Sequence, residues 1–333
     1  MREEVQTVTG PVAAAELGST LLHEHIFVGH PELDLNFPDP EWDETAAIDA
    51  AVAGLDRVWA LGIRAVVDLT VLGLGRDVGR VARVAARTRV RLLASTGYYT
   101  AEVLPAYFHT HGPGLLVGGP DPLVAMFVRD IDVGIADTGV RAAMLKVVTD
   151  RPGLTDDVRR VMDAAAEAHL QTGVPITTHT HAASQNGRDQ LQYLRKRGVD
   201  PERLIIGHCG DSQDLDYLRE LMDAGATIGM DRFGMEHMLA DEARVETLLA
   251  LLRLGYAEKM VVSHDAAFYS RVTPPSWRAR HAPHWNLENI PRRVVPLLLE
   301  RGATEQDIRQ LLEINPARLL TPALGHGDRG DGG

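Results

Sequence analysis

Short apolar runs recur along the chain, each followed by a longer stretch with helical spacing. In order, the runs are STLLHEHIF, IRAVVDLT, VRLLASTGYY, RAAMLKVVT, VPITTHTH, RLIIGHC, ATIGMD and KMVVSHD. Their nearly continuous apolar character suits parallel strands covered on both faces. Amphipathic stretches over 44–60, 155–172 and 212–223 predict helices between them; several open on Ser or Thr followed by acids, and several stop at Gly, as in WALGI, QTGVP and DAGAT. No Pro/Gly-rich linker divides the eight β-then-α units, so the pattern predicts one (β/α)8 TIM barrel of the α/β class over residues 1–322. A doubly wound sheet is the alternative, but no G-x-G-x-x-G follows the first run to support it. ENIPRRVVPLLLERG follows strand eight, TEQDIRQLLEINPARLL lies outside the barrel count, and the tail over 323–333 is expected to be disordered.

Composition narrows the classes of partner. The 333 residues are 45% hydrophobic and 24% charged, as in an ordered globule, and allow either two average domains or one large barrel. A net charge of −12 argues against nucleic acid or an anionic membrane as the main partner. The N-terminus lacks the apolar core of a signal peptide, no run is long enough to span a bilayer, and the single Cys209 forms no internal disulfide. The expected address is cytoplasmic.

In a barrel of this kind chemistry collects at the C-terminal ends of the strands. Six of the runs carry a metal ligand or acid/base candidate near that end: His23 and His25, Lys146, His179 and His181, His208, Asp231, and Asp265. A side-chain period of two sends His23 and His25 to one face, where both reach a single ion. Each residue alone has a bland explanation: the H-x-H pair as a hydrogen-bonded core or surface pair, His208 as a structural core histidine. Lys146 is harder to dismiss, because a lone ammonium in an apolar strand is costly unless paired, neutralised or chemically modified. Several imidazoles, a carboxylate and an amine at one barrel end together predict a metal site, and such ligands suit Zn, Mn, Fe or Co.

LLHEHIF, LKVVT, PITTHTHAASQNG, IIGHCGDSQDLDYL, GMDRFG and VVSHD, in this order and at these separations, resemble the phosphotriesterase family of the amidohydrolase superfamily over nearly the whole chain. The resemblance implies a (β/α)8 barrel with two divalent ions, Zn first and Co, Fe or Mn as alternatives. His23, His25 and Asp265 would hold the more buried ion, and His179 and His208 the more exposed one. Lys146 would carry a carboxylate derived from carbon dioxide that bridges both. Periodicity does not choose between His179 and His181; the family pattern selects His179 and leaves His181 at the rim or bonded to a neighbour. His264 should point away, as a packing histidine.

Within the family, two positions resemble the phosphotriesterase-like lactonases, which are tied to quorum quenching. Tyr99 falls where those enzymes place a tyrosine against the lactone ring, and Arg232 matches their arginine after strand seven. The bland alternatives are a tyrosine capping the barrel core and an ion pair of Arg232 with Asp231 or Glu236. In AAFYSRVTPPSWRARHAPHWNLENI, Phe268, Tyr269, Trp277 and Trp285 are candidates for an apolar channel, although Trp285 equally suits packing between loop and barrel. Ala266 and Ala267 depart from the cysteines common there in the lactonases, which leaves chain-length preference open. The implied function is a hydrolase opening acyl-homoserine or γ/δ-lactones with side activity on organophosphate triesters, Asp265 moving the proton, and a homodimeric assembly. The alternatives are a primary organophosphate triesterase and, more remotely, a non-catalytic metal-binding barrel. A phosphate-binding isomerase would need a glycine-rich anion site after strands seven and eight, and MDRFGMEH and SHDAAFYS have too little glycine for one.

Overall fold

The computed structural model describes residues 4–323; most of the tail expected to be disordered, 324–333, lies outside them. All eight apolar runs form strands: β1 (Thr20–Val28), β2 (Ala65–Asp68), β3 (Arg91–Gly97), β4 (Ala142–Val148), β5 (Ile176–His179), β6 (Leu204–Ile206), β7 (Thr227–Met230) and β8 (Met260–Val262). They pair in parallel in chain order. A ninth strand, β9 (Ala267–Ser270), follows shortly after β8 but pairs with the opposite edge, on β1. The eighth barrel strand is therefore split, its first half on β7 and its second on β1. Between the halves His25 N donates to Ala266 O at 2.8 Å and Asp265 N to His23 O at 3.0 Å, which closes the barrel. The break falls at Asp265, whose φ of 54° is left-handed.

The helices begin and end as their sequences demand. Asp43 caps Glu44–Ala60 by accepting from Ala46 N. Thr155 caps Asp156–Thr172 by accepting from Val158 N, and Gly173 ends that helix at φ 78° with its N–H on His169 O. After the barrel, two five-residue π-helical segments, Ile290–Val294 and Gln310–Ile314, run into Val295–Glu300 and Asn315–Leu320. Pro296 and Pro316 sit just inside those following helices, where their missing N–H breaks the regular ladder. An antiparallel hairpin, Glu4–Thr7 with Gly10–Ala13, was not expected from the apolar pattern.

Two apolar clusters hold the layers. The larger lies between strands and helices; the smaller joins Leu22, Val67, Leu93, Met144, Ile205 and Val261 with Val5 of the hairpin and Leu319 and Leu320 of the last helix. The hairpin and the last helix thus plug the barrel floor, leaving the other end for polar residues. On β1 the pairing register shifts between Leu21 and Glu24. That irregularity lets Leu22 face the floor cluster while His23 and His25 still turn into the barrel. No helix among the described residues is long and apolar enough to cross a membrane.

Gly97 lies beside Lys146 in the β3–β4 register, with φ 142°, and a Cβ there would come within 2.0 Å of the Lys146 carbonyl oxygen. Gly97→Ala is expected to cost at least about 2 kcal/mol in urea unfolding, from strain and overpacking together. An unchanged midpoint would contradict this close approach.

Candidate metal centre

Six side chains from five strand ends converge in the barrel mouth. His23 and His25 leave β1 on one face, Lys146 comes from β4, His179 from β5, His208 follows β6, and Asp265 sits at the break after β8. All are buried except Asp265, which is partly open. His25 Nε2 lies 3.2 Å and His23 Nε2 3.6 Å from Asp265 Oδ1. Lys146 Nζ is 3.0 Å from His23 Nε2, and His208 Nε2 is 2.9 Å from His179 Nδ1.

The outer nitrogens of three histidines are fixed by other groups. Asp231 takes both His23 Nδ1, at 2.7 Å, and His208 Nδ1, at 2.9 Å, and also accepts from His208 N at 2.8 Å. His25 Nδ1 meets Thr70 Oγ1 at 2.9 Å. A carboxylate is acceptor-only, so His23 and His208 carry their proton on Nδ1 and aim the Nε2 lone pair inward. Burial of Asp231 pushes its carboxyl up, but the two imidazoles outweigh this and hold it well below the usual range. Its oxygens are thus engaged in orienting ligands, which makes Asp231 a support rather than a ligand.

The charge states favour cation binding. Burial, reinforced by Lys146, lowers His23 to about 3. Burial and His208 hold His179 well below the usual imidazole range, and burial with Arg232 lowers His208. These three imidazoles are neutral at physiological pH, as metal ligation requires. Asp265 is well below the usual carboxyl range: burial opposes ionisation, but His208, His23, His25 and Arg232 outweigh it. Burial brings the Lys146 amine down to about 8. Atoms of His23, His25 and Asp265 lie within 4.8 Å of one another, close enough to hold one ion, and His179 with His208 offer an adjacent pair of nitrogens. Nitrogen donors, one carboxylate and a buried amine with no carboxylate partner among the described residues fit a pair of divalent cations.

Around this cluster the structure departs from some sequence expectations. Arg232 pairs with neither Asp231 nor Glu236. Its Nε donates to Asp265 Oδ2 at 3.1 Å and its Nη1 to Asp211 Oδ2 at 2.9 Å, while Glu236 faces Arg293. Asp211, in the turn after His208, is thus a site residue that the strand pattern missed; the only signal was its place in the motif GHCGDS. Tyr99 stands at the mouth, its ring edge-on to His179 at 5.6 Å, with its phenol pushed up to about 12 by burial and then by the Asp265 charge. It is a hydrogen-bond donor at any physiological pH. His181 lies outside the cluster, with Nδ1 2.6 Å from Ser184 Oγ and Nε2 accepting from Arg151 at 3.4 Å. His264 faces away, as expected, with Nδ1 2.6 Å from Glu24.

Of the four residues expected to line an apolar channel, Phe268, Tyr269 and Trp285 are engaged in packing or hydrogen bonds away from the cluster's ligand atoms. Phe268 packs on Gly54 of the helix Glu44–Ala60, where a Cβ would meet its ring at 2.2 Å. It lines, with Trp285, Arg57 and Arg278, a cavity of about 410 Å³ behind the barrel wall. Tyr269 is buried against Trp42 and donates to Asp39 Oδ2 at 2.6 Å. Trp285 Nε1 donates to the carbonyls of His264 and Asp265, so it packs between loop and barrel. Trp277 is partly exposed beside His237. Phe268 and Tyr269 lie in β9, whose pairing with β1 draws them onto the barrel wall.

Known proteins match nearly the whole chain. The phosphotriesterase family profile matches residues 3–320. A phosphotriesterase homology protein of Mycobacterium tuberculosis is 45% identical over 317 residues, covering 95% of this chain and 97% of that one. An aryldialkylphosphatase of Saccharolobus solfataricus is 34% identical over 312 residues, covering 93% and 97%. The solved structure of the phosphotriesterase from Mycobacterium tuberculosis superimposes with a TM-score of 0.93 at 44% identity, covering 96% of this chain and 98% of that chain. With the barrel, the convergent histidines and these relatives in agreement, the chain belongs to the phosphotriesterase family.

Proposed function

We propose that this protein is a two-metal hydrolase that opens lactones and acts on organophosphate triesters as a side activity. His23, His25 and Asp265 would hold one ion, His179 and His208 the other, with zinc the first candidate and cobalt, iron or manganese the alternatives. Lys146 would carry a carboxylate formed from its amine and carbon dioxide. When bound, the ion pair supplies a hydroxide nucleophile at neutral pH and polarises the substrate oxygen.

The remaining work falls to side chains. Asp265 is ionised and touches both His25 and Arg232, so it can take a proton from the nucleophile and return it to the leaving oxygen. Arg232 and Asp211 keep its carboxylate in place. The observation that favours a lactone is Tyr99: a protonated phenol fixed edge-on to His179 at the mouth can hold a ring oxygen. The second reading, a primary triesterase, is favoured by the likeness to the aryldialkylphosphatase.

Metal-loaded protein assayed on acyl-homoserine lactones, γ- and δ-lactones and paraoxon separates the two. A lactone is expected to have the highest kcat/KM. A triester turned over orders of magnitude faster than every lactone would reverse the order.

A further inference from the structure

The geometry points to Glu24, the middle residue of the HEH motif, as a positioning residue for the metal centre, acting through His264 and the backbone around Asp265. Its side chain leaves β1 on the face opposite the two histidines and is fully buried. Glu24 Oε1 accepts from His264 N at 2.9 Å and sits 2.6 Å from His264 Nδ1, and Oε2 accepts from Ala266 N at 3.0 Å. One carboxylate therefore binds the amides on both sides of Asp265. His264 Nε2 accepts from Ile290 N at 2.9 Å, which leaves the Nδ1 proton to point at Glu24. Trp285 closes the cage from outside by donating to the carbonyls of His264 and Asp265.

This cage has a reason to exist. Asp265 is one of a handful of non-glycine residues with positive φ among the described residues, and such a conformation persists only where its surroundings over-determine it. Were residues 264–266 to relax to an extended path, the Asp265 carboxylate would swing away from His23 and His25. Glu24 fixes the two neighbouring amides in the places that the bend requires. The H-E-H spacing then has two uses: the outer residues supply ligand nitrogens, and the middle one holds the third ligand's backbone. This inference rests on the two-metal reading of the site and is independent of which substrate the enzyme takes.

Glu24→Gln tests it, because a carboxamide keeps the size but turns one acceptor into a donor facing a donor N–H. Metal-free wild type and variant are titrated with zinc against a chromophoric chelator, and both are unfolded in urea to establish that they are folded. The expected result is a loss of about 10- to 100-fold in affinity for one of two ions, the range typical of residues that support ligands. In an Asp265→Asn background the same change should cost little further, since its effect passes through Asp265. Full additivity of the two losses, or equal affinity of Glu24→Gln and wild type, would overturn the proposal. If Glu24→Gln does not fold, His264→Asn, which spares both backbone contacts of Glu24, should give a smaller loss in the same site. In the metal-free folded protein, faster hydrogen exchange at the Ala266 amide is expected in the variant, and unchanged exchange counts against the cage. Wild type that binds fewer than two ions would fail the two-metal reading, while the exchange result still decides the role of Glu24.

Discussion

Replacing Asp265 by Asn is expected to lower kcat by about 10²- to 10⁴-fold, the range for loss of a positioned acid/base group. Asparagine is the appropriate substitute because it keeps the size and tolerates the left-handed backbone that residue 265 adopts, with φ 54°. What changes is the charge. The wild-type carboxylate is ionised, with His25 Nε2 at 3.2 Å on one oxygen and Arg232 Nε at 3.1 Å on the other. An amide neither accepts a proton at physiological pH nor balances Arg232, which is left with Asp211 alone. Metal affinity at the ion that Asp265 is proposed to share with His23 and His25 should fall as well, so rates are compared at saturating metal with the bound metal measured. A variant that binds two ions and turns over within threefold of wild type would remove Asp265 from proton transfer.

The fold was largely legible because its signal is repeated. Eight apolar runs mark eight strands, and helix ends at Asp43, Thr155 and Gly173 are fixed by local chemistry that single residues announce. The hairpin Glu4–Thr7 with Gly10–Ala13 was not, since two four-residue strands with mixed exposure carry no distinctive period. The eighth strand also escaped a simple reading. Its division at Asp265 depends on pairing with β1, a contact between segments some 240 positions apart that no local pattern encodes.

The inner ring of the site was legible for a similar reason: His23, His25, Lys146 and His179 are polar residues in apolar strands, and His208 and Asp265 closely follow such strands, which makes each conspicuous. The groups that support them were harder to see. Asp231 was visible as a candidate, but its role as acceptor for two histidines follows only from the approach of β1, β6 and β7. Thr70 ends an apolar run, where a threonine passes as part of the strand, and Asp211 lies in the turn after His208, where an aspartate is unremarked. The aromatic loop misled for the opposite reason. Phe, Tyr and Trp near a barrel mouth suggest a substrate wall, yet Phe268 and Tyr269 fill gaps against Gly54 and Trp42. Composition identifies apolar payload, and only packing says which side of the wall receives it.

Lys146→Ala is expected to remove at least about 10²-fold of activity, because it deletes both the amine and the anion proposed to form on it. The physical case begins with solvation. Lys146 is fully buried in β4, its Nζ lies 3.0 Å from His23 Nε2 and 3.5 Å from Thr178 O, and no carboxylate pairs with it among the described residues. Burial accordingly lowers the amine to about 8. Below that value its neutral, nucleophilic fraction falls about tenfold per pH unit, and above it the fraction levels off. Attack of the neutral amine on carbon dioxide forms an N–C bond, releases one proton and leaves a carbamate anion, which two adjacent cations would stabilise. At a fixed partial pressure of carbon dioxide, activation of metal-free protein by zinc should therefore accelerate about tenfold from pH 6 to pH 7 and flatten above pH 8. Carbon-13 bicarbonate should give a carbamate signal in wild type and none in Lys146→Ala. A short-chain carboxylic acid that enters the space left by the lysine stem should restore part of the variant's activity. Full activity after exhaustive removal of carbon dioxide, with no carbamate signal, would leave the buried amine as a direct ligand or a structural group and exclude the bridge.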